Sequence, residues 1–191
     1  MTIRDVTRLA VREEVLRQAW RLFAEQGFAA TTIDQIAEAA GMSRRTFFRY
    51  FSNKDELLQA KLLQSVERLA DALKARPADE AAWVAVRRAL DVVVDSGEMF
   101  AADSRALQRM LCEEPAARAN NEERRRYWNE LFGPLIAARL APGGDLHLRA
   151  TALASAAFGC LDAAQEAWLH KPEASLSELL DAAMSAIEQL S

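Results

Sequence analysis

One stretch of the chain decides the fold, residues 31–57, which read TTIDQIAEAAGMSRRTFFRYFSNKDEL. Thr32 and Gln35 have the spacing of a capping box, so we predict that a helix begins there and that Gly41 ends it. Ser43 fits the N-cap of a third short helix that runs through about Tyr50. Two short helices joined by a glycine-containing turn form a helix-turn-helix.

The third helix is predicted to have two chemically different faces. Phe47 and Phe51 lie four positions apart and are predicted to pack inward. Residues 43–54 include four basic side chains and no acidic one. The side chains predicted to point away from the core are Arg44, Arg45, Phe48 and Arg49. The alternative interpretation of this cationic surface is a merely solvated face.

Helical patterns flank this stretch on both sides. A first helix is predicted over about residues 8–26, before Gly27, and a fourth helix runs to about residue 76, before Pro77. Further helices are predicted at about 79–96, 103–113, 115–140 (kinked by Pro134), 145–170 and 175–190. No alternating strand pattern is present. The chain is therefore predicted to be all-α, with about nine helices.

Composition and charge narrow the class of protein. The 191 residues are 51% hydrophobic and 27% charged, as expected for a globular chain. The longest uncharged run, residues 150–161, is too short to cross a bilayer. Charged residues occupy the N-terminus where a secretion signal would need an apolar core, so we expect a cytoplasmic protein without a membrane partner.

The net charge of −4 is unevenly distributed. Residues 1–60 have nine Lys and Arg against eight Asp and Glu, whereas residues 61–191 have fifteen against twenty. A small cationic face on an acidic body suits a protein of which only one end meets phosphate. It argues against a protein that coats DNA along its whole surface.

Enzyme chemistry has little support in the sequence. The two histidines, His147 and His170, lie near predicted helix ends, and no phosphate-binding loop, dinucleotide loop or metal-ligand spacing is present. We therefore predict no catalytic residue, no metal and no cofactor. Cys112 and Cys160 lie in apolar helical patterns and are predicted to be reduced core residues, although the sequence leaves a disulfide open.

Residues 31–57 closely resemble the DNA-binding segment of TetR-family transcriptional regulators. The preceding residues that match the family's first helix are Ala19, Leu22, Phe23, Gly27 and Phe28. The resemblance is specific over about residues 8–60, and beyond them only size and helical pattern agree. It implies a three-helix helix-turn-helix DNA-binding domain over residues 1–53 and a larger helical effector-binding and dimerisation domain over residues 54–191.

The resemblance also implies the function: a sequence-specific regulator of transcription, expected to be a repressor that a small apolar or amphipathic effector releases from a pseudo-palindromic DNA operator. The third helix would lie in the major groove. Arg44 and Arg45 occupy its first turn, from which an arginine can bond a guanine edge at two points. Phe48 stands where the family often has Tyr, so we expect apolar contact with a thymine methyl or a sugar. Arg49 replaces a common His and adds a fixed charge.

Phosphate contacts would hold that helix in register. Tyr50 and Lys54 are predicted to supply such contacts, as are the backbone amides near Thr32, whose side chain suits a cap better than a base contact. Arg4 and Arg8 offer an arm along the backbone or minor groove. The predicted DNA-binding set is Thr32, Ser43, Arg44, Arg45, Thr46, Phe48, Arg49, Tyr50 and Lys54.

The last two predicted helices have more apolar surface than one core needs. The first of them has two seams of mostly small residues, Ala150, Leu153, Ala157, Cys160 and Ala164 on one face and Ala152, Ala156, Gly159 and Ala163 on another. We therefore expect both helices to pack against their copies in a homodimer, as the resemblance also implies. The alternative is that both seams are intramolecular core. The predicted interface residues are Leu153, Ala157, Cys160, Ala164, Leu176, Leu180, Ala183 and Ile187.

Aromatic residues and methionines of the middle helices are candidates to line an effector cavity. They are, with the apolar and basic residues near them, Trp83, Met99, Phe100, Arg105, Leu107, Met110, Trp128, Phe132 and Phe158. Each alone is also explained as core, but the set favours a fatty-acyl or aromatic effector whose acidic head group Arg105 could meet. Residues 124–126, three arginines, are predicted to be an ion-paired surface or, alternatively, a site for a phosphate-bearing effector.

Overall fold

The computed structural model describes residues 2–99, 101–115, 121–171 and 173–189, and every regular element in them is a helix. The all-α prediction is confirmed. The helices are α1 (Ile3–Gln26), α2 (Ile33–Ala39), α3 (Arg44–Phe47), α4 (Lys54–Lys74), α5 (Ala82–Ala89), α6 (Asp91–Met99), α7 (Ala101–Glu113), α8 (Asn121–Ala137), α9 (Leu146–His170) and α10 (Leu176–Glu188). We call the part built from α1 to α3 and the start of α4 the head, and the remainder the body.

The head begins its short helices where the sequence predicts. The Thr32 hydroxyl accepts from the Gln35 amide of α2 at 3.2 Å, and Gln35 closes the predicted capping box. Ser43 caps α3 through the Thr46 amide at 3.1 Å. Gly41 has a φ of 67°, a conformation that favours glycine, and forms the turn between α2 and α3. These local signals set the helix-turn-helix.

Three boundaries differ from the prediction. The first helix begins at Ile3, because Thr2 and Asp5 form a capping box that starts it five residues earlier than expected, so Arg4 and Arg8 lie on α1 and not on an extended arm. The segment predicted as one helix over 79–96 is two helices, α5 and α6, separated at Leu90. The α-helical part of α3 ends at Phe47, and a turn continues to Tyr50.

The body packs α9 against both α8 and α10. At its centre Trp128 stacks on Phe132 with ring centroids 3.7 Å apart, and the indole nitrogen of Trp128 donates to the carbonyl of Ala154 at 2.8 Å. Cys160 is buried, as predicted, whereas Cys112 is exposed, so its predicted core position is wrong. In the described ranges no helix is both long and apolar enough to span a bilayer.

Candidate DNA-binding surface and effector cavity

The two predicted faces of the third helix are present. Phe47 is 0% exposed and Phe51 is 1% exposed. Both belong to the head core, together with Phe23 of α1 and Phe28, which follows α1. Arg44, Arg45, Phe48 and Arg49 are all exposed. The inner face is buried because other residues of the head core pack around it, namely Val15, Leu16, Ala19, Ile36, Ala37, Leu57 and Leu58. The head therefore presents a basic surface outward from an aromatic support.

Arg44 has a partner on this surface. Its guanidinium donates to the carboxylate of Asp34 on α2 at 2.8 Å and lies 5.6 Å from the ring centroid of Phe48. The Arg44 side chain is still 59% exposed. An exposed pair of this kind contributes about 0–1 kcal/mol, so a phosphate or base can compete with Asp34. In the described ranges neither Arg45 nor Arg49 takes part in an ion pair.

Lys54 does not point toward this surface. Its ammonium donates to the carbonyls of Phe28 and Thr31, at 2.8 Å each, and lies 4.6 Å from the ring centroid of Phe28. These contacts hold the loop that leads into α2. The geometry therefore does not favour the predicted phosphate contact, because the ammonium is already used within the fold.

Arg12 has a structural role that sequence reasoning missed. It donates to the carbonyl of Tyr50 at 2.8 Å, lies 4.1 Å from the ring centroid of Phe51, and is 3.6 Å from a carboxylate oxygen of Glu56. It thereby ties α1 to the end of the turn that follows α3. The contact joins residues 38 positions apart, so no local pattern could signal it. Tyr50 itself is half-buried.

A cavity of about 220 Å³ lies where head and body meet. Its apolar wall consists of Trp20, Leu62, Val66, Leu69, Val92, Val93, Leu107, Leu111, Trp128, Phe158, Leu161, Trp168 and Leu176. Its polar wall consists of Ser65, Arg68, Ser104, Gln108, Arg124, Asp162 and Gln165. Trp20 belongs to α1, so the head contributes directly to the cavity.

Three of the predicted effector-binding residues, Leu107, Trp128 and Phe158, line this cavity. The others that the structure describes do not. Trp83 packs against the body core, Met110 packs against the head core, and Phe132 lies behind Trp128. The Arg105 guanidinium lies 4.6 Å from the ring centroid of Trp168, a wall residue, and donates to the carbonyl of Ala174 at 3.5 Å. Phe100 and the side chain of Met99 lie outside the described residues.

The three arginines at 124–126 lie in different places: Arg124 lines the cavity, whereas Arg125 and Arg126 are exposed on the surface. Arg124 donates to Asp162 of α9 at 3.0 Å and lies 5.0 Å from the ring centroid of Phe158. Burial lowers the pKa of Arg124 and raises that of Asp162, while their mutual attraction opposes both shifts. Arg126 pairs with Glu130 at 3.8 Å on the exposed face of α8. The prediction of an ion-paired surface holds for Arg126, whereas the cavity wall contains Arg124.

Most residues predicted for the dimer interface are buried within one chain, so the structure does not favour them as interface residues. Those buried are Ala157, Cys160, Ala164, Leu176 and Leu180. Leu153 and Ala183 are half-buried against the body core, and Ile187 is 38% exposed. The first seam faces inward because α8 and α10 both pack on α9. The other seam is open: Ala152, Gly159 and Ala163 are exposed and Ala156 is half-buried.

A basic helix facing outward on a helix-turn-helix, with a larger helical body behind it, defines a class of DNA-binding proteins. Comparison with family models gives two matches. Residues 15–60 match bacterial regulatory proteins of the tetR family, and residues 80–190 match the MftR C-terminal domain. The chain belongs to the TetR family of bacterial regulatory proteins.

Individual relatives agree with the family models. The transcriptional regulator TcmR of Streptomyces glaucescens is 34% identical over 134 residues, which are 67% of this chain and 59% of TcmR. MftR of Mycobacterium tuberculosis is 28% identical over 169 residues, 88% of this chain and 85% of MftR. A crystal structure of Thermus thermophilus FadR with lauroyl-CoA superimposes with a TM-score of 0.58 at 26% identity and 91% coverage of each chain. The protein is thus a DNA-binding transcriptional regulator and not an enzyme.

Proposed function

We propose that the protein is a dimeric repressor that binds a pseudo-palindromic operator through α3 and leaves it when a small amphipathic molecule fills the cavity. The observation that carries the DNA-binding part is the outward-facing cationic surface of α3 on a buried aromatic support. DNA in a bacterial cell lies in the cytoplasm, so the same proposal places the protein there. Repression in particular is supported by relatives named as repressors, such as AcnR of Corynebacterium glutamicum.

The DNA contacts that we propose follow from exposure and charge. Arg45 is the strongest candidate to read a base edge, since it is exposed and outside any described ion pair. Arg44 can contact a base edge in the same way once its guanidinium no longer pairs with Asp34. Phe48, which is 46% exposed, offers an apolar contact to a thymine methyl or a sugar. The remaining proposed contacts are to phosphates, from Thr32, Ser43, Thr46, Arg49 and Tyr50.

Release by an effector has a structural basis in the shared wall of the cavity. Trp20 of α1 lines the cavity, and Leu107 and Leu111 of α7 line it while packing against the head core. A molecule in the cavity would therefore press on the contact between α1 and α7. An effector that binds one head orientation better than the other shifts the population toward it, and its binding and DNA binding are then reciprocally linked.

The dimer that we propose uses the open seam of α9 together with the exposed side of α10. The seam residues are Ala152, Ala156, Gly159 and Ala163, and the residues of α10 that lie on one partly exposed face are Leu179, Ala182, Ala183, Ala186 and Ile187. Small side chains allow two helices to approach closely. A twofold axis would place two copies of α3 about 34–36 Å apart, which matches successive major grooves on one side of B-DNA.

The experiment that tests this function compares specific with random DNA. Fluorescence anisotropy is measured with a palindrome from the region upstream of the protein's own gene and with a scrambled duplex of equal length. Wild-type protein is expected to prefer the palindrome. Arg45→Ala is expected to weaken specific binding by about 1–3 kcal/mol and to change random binding much less. Arg126→Ala, an exposed arginine of the body, is the matched control and should change neither. Equal losses of Arg45→Ala on both duplexes would contradict a base-reading role.

A further inference from the structure

The cavity wall contains an ion pair in a place where apolar residues would be expected. Five residues of α9 line the cavity at helical spacing: Phe158, Leu161, Asp162, Gln165 and Trp168. Four of these suit an apolar or neutral wall, and Asp162 is the exception. Its carboxylate accepts from Arg124 of α8 at 3.0 Å.

An ion pair in this position does little to stabilise the folded chain. Removing two charges from water is so unfavourable that apolar residues of similar volume often serve a core equally well or better. The side chains of Arg124 and Asp162 are 21% and 37% exposed. The more buried partner is the cation, which also lies over the ring of Phe158. The arrangement therefore keeps a positive charge fixed at the cavity wall.

The charges of the described wall residues do not cancel. Arg68 and Arg124 are the cations and Asp162 is the only carboxylate among them, so this part of the wall is net positive. Arg68 is exposed on α4, whereas Arg124 is held inside the wall. The guanidinium of an arginine has five N–H donors, so one arginine can donate hydrogen bonds to two carboxylates at the same time.

Resting on the proposed function, we infer that the cavity selects a compact amphipathic carboxylate, with its acidic group bound by Arg124 and its apolar part lying against Trp20, Trp128 and Trp168. The volume of about 220 Å³ supports a compact ligand, since drug-sized molecules occupy pockets of about 300–1,000 Å³. The competing ligand chemistry is a cation bound by Asp162, and the competing structural interpretation is a pair without a ligand role.

Three compounds that share one apolar part separate these possibilities: phenylbutanoate, phenylbutanol and phenylbutylamine. Binding to the full-length protein is measured by calorimetry and by quenching of tryptophan fluorescence, because three of the four tryptophans line the cavity. We expect the carboxylate to bind at least about tenfold more tightly than the alcohol, as one hydrogen bond to a charged group provides, and the amine to bind most weakly. Equal or tighter binding of the alcohol or the amine, or no binding of the carboxylate, would overturn the inference.

Variants of the pair give effects of opposite sign. Asp162→Asn removes the competing negative charge and is expected to strengthen carboxylate binding. Arg124→Gln alone leaves Asp162 without its cation and risks misfolding, so the informative variant is Arg124→Gln with Asp162→Asn, which retains polar groups of similar size. In that double variant the preference for the carboxylate over the alcohol should disappear. Arg126→Gln, on the same helix but paired with Glu130 at the surface, is the control and should behave as wild type.

Operator binding without any added compound is measured on the same samples. If the wild-type protein binds its operator but shows no preference for the carboxylate, the ligand inference fails and the proposed function stands. If it binds no operator, the proposed function itself fails, whatever the three compounds do.

Discussion

The head and the body are built from the same kinds of helix, yet their faces are determined differently. In the head, short helices begin at side-chain caps, and each has one apolar face, so local sequence decides which residues are inside. In the body, α9 is 25 residues long and has small residues on two faces. Only its packing against α8 and α10 determines which of those faces is buried. In the head, local sequence therefore determines which helix face is buried, whereas in the body the buried face of α9 is determined by the helices that pack against it.

The cores also differ in composition. The head depends on a few large aromatic side chains, Phe23, Phe28, Phe47 and Phe51, around short helices. The body distributes its burial over many alanines and leucines around Trp128 and Phe132. A truncation in the head should therefore have a larger effect on its own domain than one in the body. The following variants test what the structure says about each region, from the largest expected effect to the smallest.

Phe47→Ala removes a fully buried ring from the head core. We expect it to lower the free energy of unfolding by about 3–5 kcal/mol, because the small head cannot fill the cavity that remains. Denaturant unfolding followed by circular dichroism measures this. The matched control is Phe48→Ala, at the next position, which should lose at most about 1.5 kcal/mol, because its ring is 46% exposed and makes an edge contact with Phe47. Similar losses for both variants would contradict the assignment of the two faces of the third helix.

Gly159→Arg tests the open seam of the body. A Cβ atom built at Gly159 meets nothing within 4 Å, so the folded chain accepts a side chain there, but a dimer packed on this seam would not. We expect sedimentation to change from dimer to monomer and operator affinity to fall by about a hundredfold, since the two heads then bind separately. Gly159→Ala is the control and should remain dimeric. A dimer that survives Gly159→Arg would contradict the proposed interface.

Lys54→Met tests whether Lys54 has a structural role in the head. The methionine retains an unbranched stem and loses the ammonium that holds the carbonyls of Phe28 and Thr31. We expect the free energy of unfolding to fall by about 1–3 kcal/mol, the usual effect of leaving such groups without their charged partner. If stability is unchanged and the salt dependence of DNA binding falls instead, Lys54 contacts phosphate as the sequence first suggested.

Residues with local roles were the ones that sequence could predict. The caps at Thr32 and Ser43 use partners three positions away, and the inward Phe47 and Phe51 follow from helical spacing. The split at Leu90 was missed because the apolar pattern runs through it. Arg12 was missed because its partners lie on another element.

The candidate effector site was predicted only in part, for the same reason. Spacing identifies Trp128 and Phe158 as inward-facing, but it cannot tell a wall residue from a packing residue such as Phe132. Arg124 lies in a run of three arginines that are indistinguishable in sequence. Its contact with Asp162, 38 positions away, separates it from its neighbours. The open seam of α9 likewise became evident only once α8 and α10 covered the other one.

The salt dependence of operator binding tests the central claim most directly, that the cations of α3 and of the turn after it meet DNA phosphates and bases in a dimer. With Arg49 of each chain on a phosphate and Arg44 and Arg45 close to the DNA, between two and six cations displace counterions, so the slope of log K against log salt concentration is predicted to lie between about −2 and −5. A slope near zero would contradict an electrostatic role for this surface.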